Sequence, residues 1–255
     1  KLNHIFQKYI NQGKYPGIQW QIIHKKTNYE GKVGYKNLDT KESIQEDTLY
    51  RIWSMTKPII AIAAMQLIEK DLMKLNDPIN LYLPEFSDLK VLKNEEEIIT
   101  NTISSEKQPT IKDLLLHTAG FSYNFLADPV GKEYDQIKLF NSSTSSLEEE
   151  VKLLATIPLL FQPSSKWRYS VSIDVLGRIL EVIMKSPLQD ILKNQIFLPL
   201  GMDDTDFYIS KRNASRLMQS YEYNLIENKL TEHILDSQKI GTYDYPLHNK
   251  NLFAT

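Results

Sequence analysis

The chain has 255 residues, a formal net charge of -2 at pH 7, 42% apolar and 24% charged residues, and no cysteine. These figures exclude disulfides and thiolate metal sites, and the balanced charge excludes the clustered basic footprint of a nucleic-acid-binding protein. They describe an ordinary soluble globular chain, cytoplasmic or periplasmic, long enough for one large domain or two modest ones.

In chain order, residues 2–12 predict a short amphipathic helix with Leu2, Ile5, Phe6, Tyr9 and Ile10 on one side. Gly13 ends it, and Pro16-Gly17 turns the chain into an alternating strand over 17–24. The KKTN turn leads to a partner strand over 29–37, and 47–52 is a third short extended stretch. Helices are expected over 55–71, 110–117, 146–156, 172–185 and 187–197. Residues 94–107 read as a polar surface excursion. Ser146 with Glu149 fits a capping box, which marks a solvated helix end. After Gly201 the pattern returns to extended pieces, 204–209 and 220–226, with a turn at 227–229.

Strands come first, helices fill the middle and strands resume late. The expectation is an α+β fold, with helices packed on an antiparallel sheet built from both ends of the chain. As domains, residues 1–255 read as one unit with three parts: 1–52 (helix and strands), 53–200 (mostly helical) and 201–255 (an incomplete return to the sheet). The apolar run at 59–65 is far short of the roughly 20 residues of a membrane span. No leader peptide is visible at the start, although a chain opening on Lys1 leaves room for a removed one.

S-x-x-K occurs three times, at Ser54/Lys57, Ser87/Lys90 and Ser104/Lys107, about as often as composition gives by chance. Context separates them. Only Ser54 opens a long apolar helix, and Pro58 confines the start of that helix to the residues just before it, because proline is tolerated only in the first turn. Ser54 then lies at the positive end of the helix dipole, with Lys57 one turn on. The apolar run IIAIAAM predicts a helix buried almost all round and a partly dry setting for the serine. A lysine in such a setting can act as a base for an attacking hydroxyl. An equally open reading makes Ser54 an N-cap, worth about 1 kcal/mol, with Lys57 on the surface.

Tyr169 stands ahead of a second apolar helix, which Ser170 or Ser172 would cap. It could reach the same cleft and relay a proton, or be one core tyrosine among 14.

At this point the residues resemble a family. GKYPGIQWQII, DTLYRIWSMTKPIIAIAAMQLIEKDLMKLNDPINLYLPEF, TIKDLLLHTAGFSY, WRYSVSIDVLGRILE and IFLPLGMDDTDF, in this order over roughly residues 2–225, resemble the serine β-lactamase-like superfamily. The likeness is to the branch of class C β-lactamases, family VIII carboxylesterases and penicillin-binding proteins. It implies a β-lactamase/transpeptidase-like fold with a mostly helical subdomain. It implies that Ser54 is the acylated nucleophile, Lys57 its proton partner and Tyr169 the general base and proton donor. The Ser54 N–H would form half of an oxyanion hole. The base is disputed in related families.

Two features depart from the family pattern. Its second motif is Tyr-x-Asn, whereas this chain has Tyr169-Ser170-Val171. Valine offers no amide to an amide substrate or to the lysine, which favours ester hydrolysis over β-lactam turnover. The third motif, K-T-G or an H/W-x-G equivalent on a late strand, has no convincing match. Lys239-Ile240-Gly241 follows Tyr169 by only 70 residues, which is too close. The expectation is that the C-terminal strands are missing from this chain, as in a fragment or a degraded relative. One lost oxyanion donor costs about 10²–10³ in rate.

His117, in the last helical turn of LLLHTAG, is expected to serve the helix dipole and not a Ser-His-Asp triad. Tyr123, Phe125 and Val171 are expected to line the substrate pocket, and Trp53 to pack behind the nucleophile. No cofactor, metal, nucleic-acid partner or membrane span is implied, and oligomeric state is open. The expected function is a serine hydrolase acting through an acyl-enzyme on Ser54, most readily on a small-molecule ester, with an amide or β-lactam as a weaker substrate. Its rivals are a penicillin-binding or D-amino-acid peptidase-like protein and a non-catalytic scaffold.

Overall fold

Gly13, at a φ of 66° that L side chains rarely adopt, follows the first helix, α1 (Leu2–Asn11). In the computed structural model the described residues are 1–96, 98–140, 145–233 and 253–254. Strands β1 (Gly17–His24) and β2 (Thr27–Asn37) form an antiparallel hairpin in register from Gly17↔Gly34 to His24↔Thr27. The turn is Lys25-Lys26, two residues shorter than the expected KKTN, with Lys25 at a φ of 57°. Strands β3 (Glu42–Ser43) and β4 (Tyr50–Arg51) follow, and then a 3₁₀ turn, Trp53–Met55, that runs into α2 (Thr56–Glu69).

Next come β5 (Lys90–Leu92), β6 (Thr102–Ser104), α3 (Ile111–Leu116), α4 (Pro129–Gln136) and α5 (Leu147–Leu154). Helix α6 (Ser172–Met184) precedes α7 (Leu188–Leu192), which continues as a π turn over Lys193–Phe197. A late hairpin, β7 (Tyr221–Asn224) with β8 (Lys229–Glu232), precedes β9 (Phe253–Ala254), which pairs with β4.

The described residues divide into two compact units, 1–52 with 204–233 and 253–254, and 53–203. In the first, the sheet order is β1-β2-β3, and α1 lies on β2. Trp20 donates to Asn3 Oδ1 at 2.8 Å and its ring lies 6.4 Å from Phe6. The late segment returns to the early one, as the α+β reading expects: Leu49 N–H donates to the Arg216 carbonyl and Met218 N–H to the Leu49 carbonyl, both at 2.9 Å. The Arg216 guanidinium grips both Asp204 carboxylate oxygens, at 2.9 and 2.5 Å, and the Asp47 carbonyl at 2.8 Å. This fork geometry is one that lysine does not reproduce.

The second unit is built around α6, against which α2, α3, α5 and α7 pack. Val175, Leu176, Ile179 and Leu180 are fully buried on it, each burial worth about 1.5–3 kcal/mol against exposure. Helix α2 contributes Ile60, Ala63, Ala64 and Leu67 to this core. Its other face departs from the expectation: Ile62 and Met65 remain 52% and 48% exposed. An apolar run says that a helix can be buried all round and not that neighbours cover every face.

The described residues of the excursion over 94–107 lie at the surface as read, and Thr102–Ser104 among them form β6, which pairs with β5 in register Val91↔Ile103. Helix α4 was not foreseen. Asp128 caps it through Gly131 N–H, and Pro129 opens it. Residues 204–209 form no continuous strand: Asp206 makes an isolated bridge between a turn at Asp204 and bends at Phe207 and Tyr208. The capping box at Ser146 and Glu149 forms as read.

Gly120 fixes the loop after α3. Its φ is +96°, its carbonyl accepts from Leu160 N–H at 2.8 Å, and a Cβ added there would lie 2.5 Å from the Phe161 carbonyl oxygen. Gly120→Ala is expected to cost about 1–3 kcal/mol of stability. Urea unfolding should show a lower midpoint with an unchanged slope.

Candidate active site

Ser54 sits in the middle of the 3₁₀ turn and is exposed, not partly dry as expected. The turn is set by Trp53, held at a φ of 46°. That conformation is rare for a bulky side chain, and such outliers cluster at functional sites. Trp53 is 48% exposed, so it bends the chain ahead of Ser54 and does not pack behind it. Lys57 lies in the first turn of α2, half-buried, and Pro58 follows where the backbone N–H has no helical partner.

Tyr169 comes from the segment before α6. Its Oη lies 2.5 Å from Ser54 Oγ, at the short end for an O–H···O bond. The Lys57 ammonium donates to the same Oγ at 3.4 Å. That ammonium also stands over two ring faces, 4.8 Å from the Tyr169 centroid and 5.4 Å from that of Tyr123. Four rings follow in a row: Phe125 to Tyr123 at 4.8 Å, Tyr123 to Tyr169 at 5.3 Å, and Tyr169 to His117 at 5.0 Å. Phe125 forms the open end, 68% exposed.

Three predicted residues thus converge, and Tyr123 and Phe125 border them. Val171 does not join them. It opens α6 with its side chain in the core at 2% exposure, so the expectation that it lines the pocket is corrected. The expected serine cap is also absent. Val171 is the N-cap residue without a side-chain bond, because Ser170 Oγ pairs instead with Ser172 Oγ at 2.7 Å and His117 Nδ1 at 3.3 Å. Lys239, Ile240 and Gly241 lie outside the described residues.

The charges around the cluster are unusual. Burial, and then the Lys57 ammonium, push His117 down to about 4. It is therefore neutral near pH 7, and the expected charge on the dipole of α3 does not form there. Burial, then Asp174, then Tyr169 raise the Tyr123 phenol. Asp174, half-buried in the first turn of α6, was not singled out from the sequence, where an acid in a first turn reads as a dipole partner. Burial pushes its carboxyl up to about 7, against the pull of Lys57.

The Beta-lactamase family model matches residues 2–241. Protein Rv1367c of Mycobacterium tuberculosis is 36% identical over 191 residues, covering 74% of this chain and 47% of its own length. Esterase EstB of Burkholderia gladioli is 30% identical over 211 residues, covering 81% of this chain and 51% of its own. The chain therefore spans about half the length of these two relatives. Among solved structures, EstCE1, a hydrolase with promiscuous acyltransferase activity, matches with a TM-score of 0.82 at 25% identity, over 98% of this chain and 67% of that one. The fold is the β-lactamase/transpeptidase-like one that the motifs implied.

Asp174 gives a pH signature. The folded carboxyl keeps its proton up to about pH 7, whereas an unfolded aspartate releases it near pH 4. Between these values the folded state binds more protons, so this contribution to stability is full below about pH 4 and is lost as pH rises through about 7. Asp174→Asn cannot ionise. Its melting temperature relative to the parent should therefore rise between about pH 4 and 7, and a pH-independent difference would contradict this.

Proposed function

The chain belongs to the Beta-lactamase family, and from that premise we propose that it is a serine hydrolase forming an acyl-enzyme on Ser54, with small carboxylic esters as its preferred substrates. The observation that carries this reading is the convergence on Ser54 Oγ of the Tyr169 phenol at 2.5 Å and the Lys57 ammonium at 3.4 Å.

The roles follow from those distances. Tyr169 is the nearer group and, acting as its phenolate, takes the proton of Ser54 as Oγ attacks the ester carbonyl. The Lys57 ammonium above its ring offsets the negative charge that the phenolate carries before it takes the proton. The Ser54 N–H, at the positive end of α2, donates to the tetrahedral oxyanion. Tyr169 then protonates the departing alkoxide. A water takes the place of the alcohol and attacks the acyl carbon, giving its proton to Tyr169, which returns it to Ser54 Oγ as the bond from Oγ to the acyl carbon breaks and the acid leaves.

The preference for esters rests on Val171. No side-chain amide stands two residues after Tyr169, and the valine there faces the core. The esterase name of the Burkholderia relative supports the same choice. The Phe125–Tyr123 stack offers an apolar wall to the acyl or alcohol group.

Hydrolysis of p-nitrophenyl butyrate and of nitrocefin tests the reading. Ester turnover should exceed nitrocefin turnover by at least about 100-fold, on the scale of one missing buried polar contact. Ser54→Ala should abolish it, and Tyr169→Phe should slow it by about 10²–10⁴. Unchanged turnover in Ser54→Ala would refute the assignment. Stable acylation by benzylpenicillin without ester turnover would favour a penicillin-binding protein.

A further inference from the structure

His117 is the conspicuous residue that the proposed chemistry leaves unused. It closes α3 in the left-handed conformation, at a φ of 57°, and so turns the chain back towards the segment before α6. There it holds both neighbours of Tyr169. Its carbonyl accepts from Arg168 N–H at 2.9 Å, and its Nδ1 accepts from Ser170 N–H at 3.2 Å. Between these two bonds its ring lies 5.0 Å from the Tyr169 ring, tilted by 41°.

The support beneath this arrangement is a set of hydrogen bonds centred on Asp113. Asp113 accepts from Thr118 Oγ1 and Ser164 Oγ, each at 2.7 Å, and the Thr118 carbonyl accepts from Ser164 N–H at 2.8 Å. Burial works to raise the Asp113 carboxyl, and the hydrogen bonds from Ser164, Thr110 and Thr118 outweigh it, so it stays an acceptor.

A direct role as base does not fit. A neutral imidazole has one free lone pair. The Ser170 N–H fixes that lone pair on Nδ1 and, with the Ser170 hydroxyl 3.3 Å from the same nitrogen, already uses it. Ser54 Oγ, for its part, is engaged by Tyr169 and Lys57.

We propose that His117 is the positioning residue that sets the Tyr169 phenol against Ser54, by anchoring the backbone on both sides of the tyrosine. The functional part of this inference rests on the role given to Tyr169 above. Only the neutral ring can accept from Ser170 N–H, and burial together with Lys57 keeps it neutral. Asparagine can mimic Nδ1 with its amide oxygen. Leucine keeps the bulk and offers no acceptor.

Two measurements test the proposal on the full chain: hydrogen exchange of the peptide that contains Ser170, and ester hydrolysis. His117→Leu should speed exchange of the Ser170 amide by about tenfold or more, as expected for one lost protecting bond. It should lower kcat about 10- to 100-fold with KM little changed, as for a misplaced catalytic group. His117→Asn should keep both within about threefold of the parent. In a Tyr169→Phe background, adding His117→Leu should cost no more than about twofold, because the two residues act as one.

Equal Ser170 protection in all variants would overturn the proposal. So would a His117→Asn variant that folds but loses exchange protection, or a full His117→Leu penalty in the Tyr169→Phe background. If the parent hydrolyses no ester, the hydrolase reading falls, while exchange at Ser170 still decides the anchoring role of His117.

Discussion

The arrangement around Ser54 depends on one contact, the 2.5 Å approach of its hydroxyl to the phenol of Tyr169, between residues 115 apart in the chain. Neither side chain can be placed by its own neighbours alone. Ser54 is aimed by a 3₁₀ turn bent at Trp53 and fixed to the start of α2. Tyr169 is aimed by the segment that feeds α6. The packing of α2 against α6 brings the two starts together. Ala63 and Ala64, both fully buried, add little bulk to the buried side of α2. The core of this unit thus supports the site as well as stability.

The electrostatics follow the same logic. A single ammonium, that of Lys57, reaches Ser54 Oγ, stands over two phenol rings and acts on both His117 and Asp174. Its burial is only partial, as is that of Ser54's partner Tyr169. The cluster therefore combines an exposed Ser54 hydroxyl with neighbours held in drier surroundings. On this account the protein has a reachable hydroxyl without losing the fixed geometry on which proton transfer depends.

Much of this was legible in the sequence. Proline cannot sit deep in a helix, so Pro58 placed the start of α2 and, with it, Ser54 and Lys57 three residues apart on one edge. The long helices were legible because α6 carries a regular apolar stripe. Tyr169 was legible only through its place ahead of α6 and the family resemblance, since nothing else separates one tyrosine from the other 13.

What escaped the sequence depends on contacts between distant residues. Strands β5 and β6 are three residues each and exist because they pair with one another. Helix α4 has only eight residues, with a glycine and several charges, and depends on its Asp128 cap. Val171 was misread because position after a motif does not say which way a side chain turns. His117 looked like a helix-end charge because the sequence shows neither its burial nor the backbone N–H of Ser170.

The most direct test of the central claim is peptide mapping after exposure to a fluorophosphonate. If the Tyr169 and Lys57 contacts make Ser54 nucleophilic, the adduct forms on Ser54 and on none of the other 18 serines. A protein that is folded but carries no adduct, or carries it on a different serine, would contradict the account.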